Sequence, residues 1–269
     1  MLGEIISERP ADGKVFGRPR AVVCYNERPM VRNLAVGLFV VVFFLVAAPL
    51  LIVAFLVRAP GLLIAYGKGG VRLACWILGF DLVVAGRERL GPAGQFVFMA
   101  NHLSLIDGPL LVLLIPRPLR VILKKSLFRL PIVGQAMAFI GFVPVDRMRA
   151  SGGQRAIARA ARLMKEKGCS FLIFPEGTRS RDGRLQAFRR GGFFLALESG
   201  AAIVPISIRG TYELMPRGQK FIRKGRIQVE FHAPVPAAGL GRDDIPALMD
   251  RVRAVIAADV EETRQPCGG

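Results

Sequence analysis

The chain has 269 residues, 52% of them hydrophobic, with 38 Lys and Arg against 20 Asp and Glu for a formal net charge of +18 at pH 7. That is enough apolar chain for one large domain or two small ones, and the charge calls for anionic partners such as a phospholipid surface, nucleic acid or a phosphorylated substrate, without choosing among them. The cysteines, Cys24, Cys75, Cys169 and Cys267, are scattered with no C-x-x-C pair, which excludes a zinc ribbon and a disulfide framework and suits a reducing compartment.

Residues 1–33 form a polar leader without a motif. From 34 to 57 the sequence reads LAVGLFVVVFFLVAAPLLIVAFLV, 24 residues with no charge. At about 1.5 Å per residue this run is long enough to cross a hydrocarbon core of roughly 30 Å. It begins too late for an ordinary cleaved signal peptide, and it lacks the polar face of a core helix. Pro49 is expected to bend or break the helix there. Arg28 and Arg32 precede the run, and Arg58, Lys68 and Arg72 follow it, so charge asymmetry gives no orientation. Two forms stay open: a single span, or a bent element that dips into one leaflet with both ends cytosolic. Residues 62–80 are amphipathic, with Tyr66, Trp76 and Phe80, and read as an interfacial piece. The stretch 34–80 is therefore expected to be a membrane-embedded or interfacial helical element. GLLIAYGKGG within it has one residue too many for a P-loop, and Gly69 where Ser or Thr belongs, which excludes nucleoside triphosphate binding there.

Past Gly86 short apolar runs alternate with helical patterns. Strands are predicted at Leu82–Ala85, Phe96–Ala100, Arg120–Leu123, Phe142–Val145, Ser170–Phe174, Ile203–Ile208 and Ile227–Phe231. The clearest helices are Gln154–Lys167, with Ser151 as its N-cap and Gly168 as its stop, and Asp244–Glu262. This alternation predicts an α/β domain over 81–262, with a largely parallel central sheet flanked by helices. The tail, 263–269, is expected to fray.

Two loops carry chemistry. In FMANHLSLIDGP, Phe98–Pro109, an apolar strand ends at Asn101-His102 and Asp107 follows five residues on. Residues five apart lie about 140° apart on a helix, so His102 and Asp107 are no same-face helical pair. Pro109 belongs in a first helical turn, which starts the helix near Ser104–Asp107 and leaves His102 in the turn before it. There the imidazole can fold back onto the carboxylate. Asp107 then fixes the tautomer and frees the other ring nitrogen as a base. The second loop, SFLIFPEGTRSRDGRLQAFRRGG, runs from a strand through Glu176, Gly177, Thr178, Arg179, Arg181, Arg184, Arg189 and Arg190 into a helix. Guanidinium groups at a strand's end suit bidentate phosphate binding, and glycines and a helix N-terminus favour an anion as well. Glu176 either bonds the acceptor or holds the arginine loop in place. His232 has no acid near it in sequence and reads as structural. A G-x-S-x-G nucleophile elbow is missing.

Together these blocks resemble the glycerolphosphate acyltransferase family, in its 1-acylglycerol-3-phosphate acyltransferase branch, over roughly residues 80 to 235. NHLSLID matches the Asn-His-x4-Asp signature, GFVPVDR the second block, FPEGTRS the third and IVPISI the fourth. The resemblance implies a base-catalysed transfer of a fatty acyl group to a lysophospholipid, by His102 and Asp107. It implies acceptor binding by Arg147, by Lys124 or Lys125, by Glu176, Gly177, Thr178 and Arg179, and by Arg189 or Arg190. It implies acyl-CoA or acyl carrier protein as the donor, with no cofactor, no metal and no nucleic acid. The protein is then expected at the cytoplasmic membrane, on membrane phospholipids, with its site facing the cytosol. Other lysolipid acceptors, an acyl hydrolase and a non-catalytic anionic-lipid-binding protein are the alternatives.

Overall fold

A computed structural model describes residues 6–9, 29–146, 150–219 and 221–261. The elements in chain order are β1 (Ile6–Arg9), α1 (Pro29–Leu56), α2 (Pro60–Leu78), β2 (Asp81–Ala85), β3 (Phe96–Ala100), α3 (Asp107–Leu114), β4 (Leu119–Lys124) and α4 (Val133–Ile140). There follow β5 (Val143–Val145), α5 (Ala150–Lys167), β6 (Ser170–Ile173), α6 (Gly191–Ser199), β7 (Ala202–Arg209), α7 (Thr211–Leu214), β8 (Arg226–Phe231) and α8 (Ile245–Glu261). Short 3-10 turns lie at Arg87–Leu90, Lys125–Arg129 and Arg242–Asp244. The predicted strands all form, within one or two residues. Ser151 falls inside the first turn of α5 instead of capping it.

The strands make one eight-stranded sheet in the order β1-β2-β8-β7-β3-β6-β4-β5. Every neighbouring pair is parallel except β7 with β8. The β3 sequence FVFMA is apolar throughout because both of its faces are covered. Val97 and Met99 point into a core shared with α5, α6 and α8, while Phe96, Phe98 and Ala100 point into one shared with α2 and α3. From β3 the chain crosses by way of α3 to β4. From β6 it crosses by α6, on the other face, back to β7 beside β3. The direction of travel thus reverses between β3 and β6, which opens a crevice at their carboxyl ends, where ligands bind in open α/β sheets.

The apolar run forms a helical hairpin. α1 passes through Pro49 as one helix, so the chain does not break at that residue. The chain turns at Val57–Ala59, with Arg58 in a left-handed conformation. It returns as α2, where Tyr66 stacks on Phe43 at 4.5 Å and donates to the Phe43 carbonyl at 2.6 Å. Gly70 is needed for this approach, since a Cβ there would lie 2.2 Å from the Phe43 ring. The Gly67–Gly70 segment is helical, not a phosphate loop. At the hairpin base, Arg32 donates to the Ile222 carbonyl at 2.9 Å and the Asn33 Oδ1 accepts the Ile222 N–H at 3.1 Å. At its far end the Phe55 ring meets Phe139 of α4 at 5.6 Å. The chain ahead of the hairpin returns to the sheet as β1, paired with β2, which follows the hairpin. Both ends of the hairpin therefore belong to one domain.

Candidate active site at the carboxyl ends of β3 and β6

At the end of β3 the buried Asn101 turns its amide sideways. It donates to the Ile208 carbonyl at 2.9 Å and accepts the Ile208 N–H at 2.8 Å. A side chain thus replaces the ladder partner that the departing backbone no longer offers to β7. The chain is released into the turn that holds His102. The first turn of α3 begins at Asp107, which is fully buried. Asp107 Oδ2 accepts the N–H groups of Leu103 and Ser104, each at 2.7 Å, and lies 2.9 Å from His102 Nδ1. Its Oδ1 makes no hydrogen bond to any described residue. A carboxylate that accepts from Nδ1–H leaves Nε2 without its proton, hence basic. The imidazole lies flat on Phe174, with ring centres 4.0 Å apart and planes 19° from parallel, and its side chain keeps 19% exposure.

The loop after β6 clamps the His102 backbone from both sides. Glu176 Oε1 accepts the His102 N–H at 2.7 Å, and the Ser180 N–H donates to the His102 carbonyl at 2.8 Å. The second oxygen of Glu176 accepts the Gln186 N–H at 3.0 Å. Of the two readings of Glu176, the geometry matches the one that holds the loop. Both of its oxygens are taken by backbone amides and the residue is only 2% exposed, which leaves it no face for an acceptor. Burial pushes its carboxyl up to about 7, against the pull of those two amides and of Arg253, while Asp107 adds to the rise.

Gly177 has φ +71°, and a Cβ there would lie 2.8 Å from the Arg189 guanidinium. The Arg189 N–H donates to the Pro175 carbonyl at 2.8 Å, which brings Arg189 back beside Gly177. Thr178 and Arg179 are half-buried, and Arg181, Arg184, Arg189 and Arg190 are exposed. Arg184 lies 3.7 Å from Asp182, whose carboxyl is held low, first by the Arg184 N–H. Arg179, Arg189 and Arg190 have no acidic partner among the described residues. Lys124 and Lys125 are exposed at the end of β4, on the same edge of the sheet. Arg147 lies outside the described residues.

His232 has an acid partner after all. Its Nε2 is 3.0 Å from Asp259 Oδ2 of α8 and 2.8 Å from the hydroxyl of Ser207 on β7. The group joins α8 to the sheet, and distance along the chain hid it from the sequence. Ser104 is a second residue that the sequence did not single out as a contact. Its hydroxyl donates to the Met215 carbonyl at 2.8 Å and ties the His102 turn to the β7–β8 connection. No group of His, Cys, Asp and Glu among the described residues is arranged to hold a metal ion.

A family model described as Acyltransferase matches residues 81–209, which takes in both loops. The 1-acyl-sn-glycerol-3-phosphate acyltransferase of Limnanthes douglasii is 30% identical over 196 residues, 73% of this chain and 69% of its own length. That of Cocos nucifera is 30% identical over 201 residues, covering 75% of this chain and 65% of the relative. The chloroplastic LPAT1 of Arabidopsis thaliana is 39% identical over 158 residues, 58% of this chain and 44% of that one. The chain thus spans from 44% to 69% of the length of these curated relatives. Among solved structures, the 1-acyl-sn-glycerophosphate (LPA) acyltransferase PlsC from Thermotoga maritima superposes with a TM-score of 0.71 at 27% identity, over 90% of this chain and all of that one. The sheet, the hairpin, the two loops and these likenesses agree: the chain belongs to the acyltransferase family, in its 1-acyl-sn-glycerol-3-phosphate acyltransferase branch.

Proposed function

We propose that the protein transfers a fatty acyl group from a thioester donor to the free hydroxyl of 1-acylglycerol-3-phosphate, giving phosphatidic acid. The observation that carries this reading is His102, with Nδ1 tied to the buried Asp107 and its backbone gripped by the arginine-bearing loop. His102 Nε2 takes the hydroxyl proton as the oxygen attacks the thioester carbonyl. Collapse of the tetrahedral intermediate breaks the C–S bond, and the departing thiolate recovers a proton from the imidazolium. Asp107 stays ionised and offsets the imidazolium charge. No acyl-enzyme forms, so no nucleophilic Ser or Cys is required. Base catalysis of this kind is worth roughly 10²–10⁴-fold, and holding acceptor and donor together supplies much of the rest.

The acceptor phosphate is assigned to Arg179 with Arg189 or Arg190, aided by Lys124 or Lys125 and by Arg147. Gly177 and Thr178 provide the close backbone beneath it. The donor is acyl-CoA or acyl carrier protein, with no metal or cofactor. The hairpin rests in the cytosolic leaflet of the cytoplasmic membrane. This placement is supported by the apolar surface of α1, where Leu34, Leu38, Leu45, Ile52 and Phe55 are all exposed. Purified protein with radiolabelled acyl donor and a panel of lysophospholipids tests the reading. Transfer to 1-acylglycerol-3-phosphate above the other acceptors is expected, and no transfer to any of them defeats it.

A further inference from the structure

Outside the hairpin the surface of the domain is almost free of large apolar side chains. Beyond residue 80 just three large hydrophobic residues are exposed among the described ones: Leu105 at 59%, Leu130 at 47% and Phe221 at 59%. One such residue needs no explanation, but these three share a location. Leu105 follows β3, in the His102 turn. Leu130 follows β4 and its 3-10 turn. Phe221 lies in the connection from β7 to the antiparallel β8. All three connections leave the same edge of the sheet, the one that carries the site. The two helix-covered faces of the domain contribute none.

We propose that this edge is itself a membrane-docking surface, with Leu105, Leu130 and Phe221 entering the headgroup boundary of an anionic bilayer around the mouth of the site. The inference rests on the lipid acyltransferase reading above and adds to the hairpin a second contact, made by the domain. Cations stand beside the apolar tips: Lys124, Lys125 and Arg129 before Leu130, and Arg217 and Arg223 around Phe221, all exposed. Single apolar side chains separated by cations match a lipid interface, where each Lys or Arg adds attraction to anionic headgroups. A protein-binding surface differs, since its core is contiguous, apolar and depleted of charge.

The rim is also continuous with the hairpin and fastened to the site. The Phe221 connection is bonded to the start of α1 through Ile222. It covers the end of α2 through the Lys224 stem, which lies 3.0 Å from where a Gly79 Cβ would sit. The same connection holds Arg181 of the arginine loop through the Tyr212 hydroxyl at 3.0 Å, and Ser104 of the His102 turn through the Met215 carbonyl at 2.8 Å. A bilayer against Phe221 therefore meets the mouth of the site as well, and the acceptor reaches His102 without crossing water.

Full-length protein on vesicles of phosphatidylglycerol and phosphatidylcholine tests this. In a Trp76→Phe background, which removes the only native tryptophan, Phe221→Trp should show blue-shifted emission on vesicles, quenched by lipids brominated near the carbonyl. Unshifted, unquenched emission overturns the proposal, and so does a blue shift that the brominated lipids leave unquenched, the mark of burial against a second copy. Independently, Leu130→Asp with Phe221→Asp should lower kcat/KM for a long-chain acceptor in vesicles about tenfold or more. For a short-chain acceptor dissolved as monomers kcat/KM should be unchanged. Equal losses on both acceptors, or no loss on either, overturn the rim. An unsubstituted protein inactive on both acceptors defeats the acyltransferase reading instead, while the tryptophan measurement still decides the docking surface.

Discussion

Glu176 holds the backbone N–H of His102 at 2.7 Å across 74 residues of sequence. The base therefore depends on a carboxylate that touches neither its ring nor the pocket mouth. Glu176→Gln keeps the shape but offers one oxygen where two amides need acceptors. One buried N–H is left unpaired, at a cost of about 1–3 kcal/mol. We expect kcat to fall about tenfold with little change in either KM, because a displaced base weakens the transition state rather than binding. Glu176 is a positioning residue, and an unchanged kcat would mean that its grip on His102 is incidental.

The same carboxyl makes stability depend on pH. It is pushed up to about 7 by burial, so the folded chain holds this proton more tightly than the unfolded one does. The stability gained from protonation is complete below about pH 4.5, the ordinary glutamate range, and is lost as pH rises through about 7. Relative to Glu176→Gln, whose amide does not titrate, the unsubstituted protein should lose stability between those limits. Denaturation midpoints at several pH values in detergent check this, and parallel pH profiles for the two proteins would refute it.

His102→Ala should abolish transfer and leave membrane attachment intact. Asp107→Asn keeps an oxygen for the Leu103 and Ser104 amides but no charge to offset the imidazolium. We expect kcat to drop roughly 10²-fold or more, with a circular dichroism spectrum and detergent-solubilised yield close to those of the unsubstituted protein. Near-normal turnover in either variant would remove the dyad from the mechanism.

How much of this could be read in the sequence depended on whether the cause was local. The β3 strand, the turn after it and the start of α3 were legible because a short unbroken apolar run, Asn101-His102 and Pro109 act within a dozen residues. The His102–Asp107 pairing was legible for the same reason. The hold of Glu176 on His102 was not, since a motif names a residue type without saying which distant amide its oxygens meet. The acid partner of His232 was not legible because Asp259 lies on α8, brought to it only by the packing of that helix on β7. β1 was missed because Ile-Ser-Glu-Arg is a short edge strand with little apolar pattern, stabilised by pairing with β2 and by the Arg87–Glu8 ion pair. The expected break at Pro49 failed because one missing N–H does not end a long helix that is apolar on both sides of the proline.

Arg179 sits between Glu176 and Ser180, the two residues that clamp the His102 backbone, half-buried and without an acidic partner among the described residues. Arg179→Ala should raise KM for 1-acylglycerol-3-phosphate at least about tenfold while KM for the acyl donor stays within about twofold, as expected for the loss of a charge-assisted phosphate contact. Arg179→Lys should recover only part of the loss, because an ammonium lacks the planar fork that grips two phosphate oxygens. Equal increases in both constants would assign the residue to the donor or to the loop's structure.

The pairing of β1 with β2 also decides how the hairpin meets a membrane. α1 leaves the domain near Ile222 and α2 returns to β2, so residues on either side of the hairpin lie in adjacent strands of one sheet. A protein built this way presents both flanks to the same compartment. Ser7 and Glu88 are both exposed, and Ser7→Cys and Glu88→Cys, each in a background without Cys24, Cys75, Cys169 and Cys267, report the two sides. With a membrane-impermeant maleimide, both positions should stay protected in intact cells and both should label once the cells are opened. Labelling at position 7 in intact cells, with position 88 protected, would mean that α1 crosses the bilayer and that β1 does not join this sheet in the membrane-bound protein. Labelling of both in intact cells would keep the hairpin but place the domain, and with it His102, on the outer face, away from a cytosolic thioester donor.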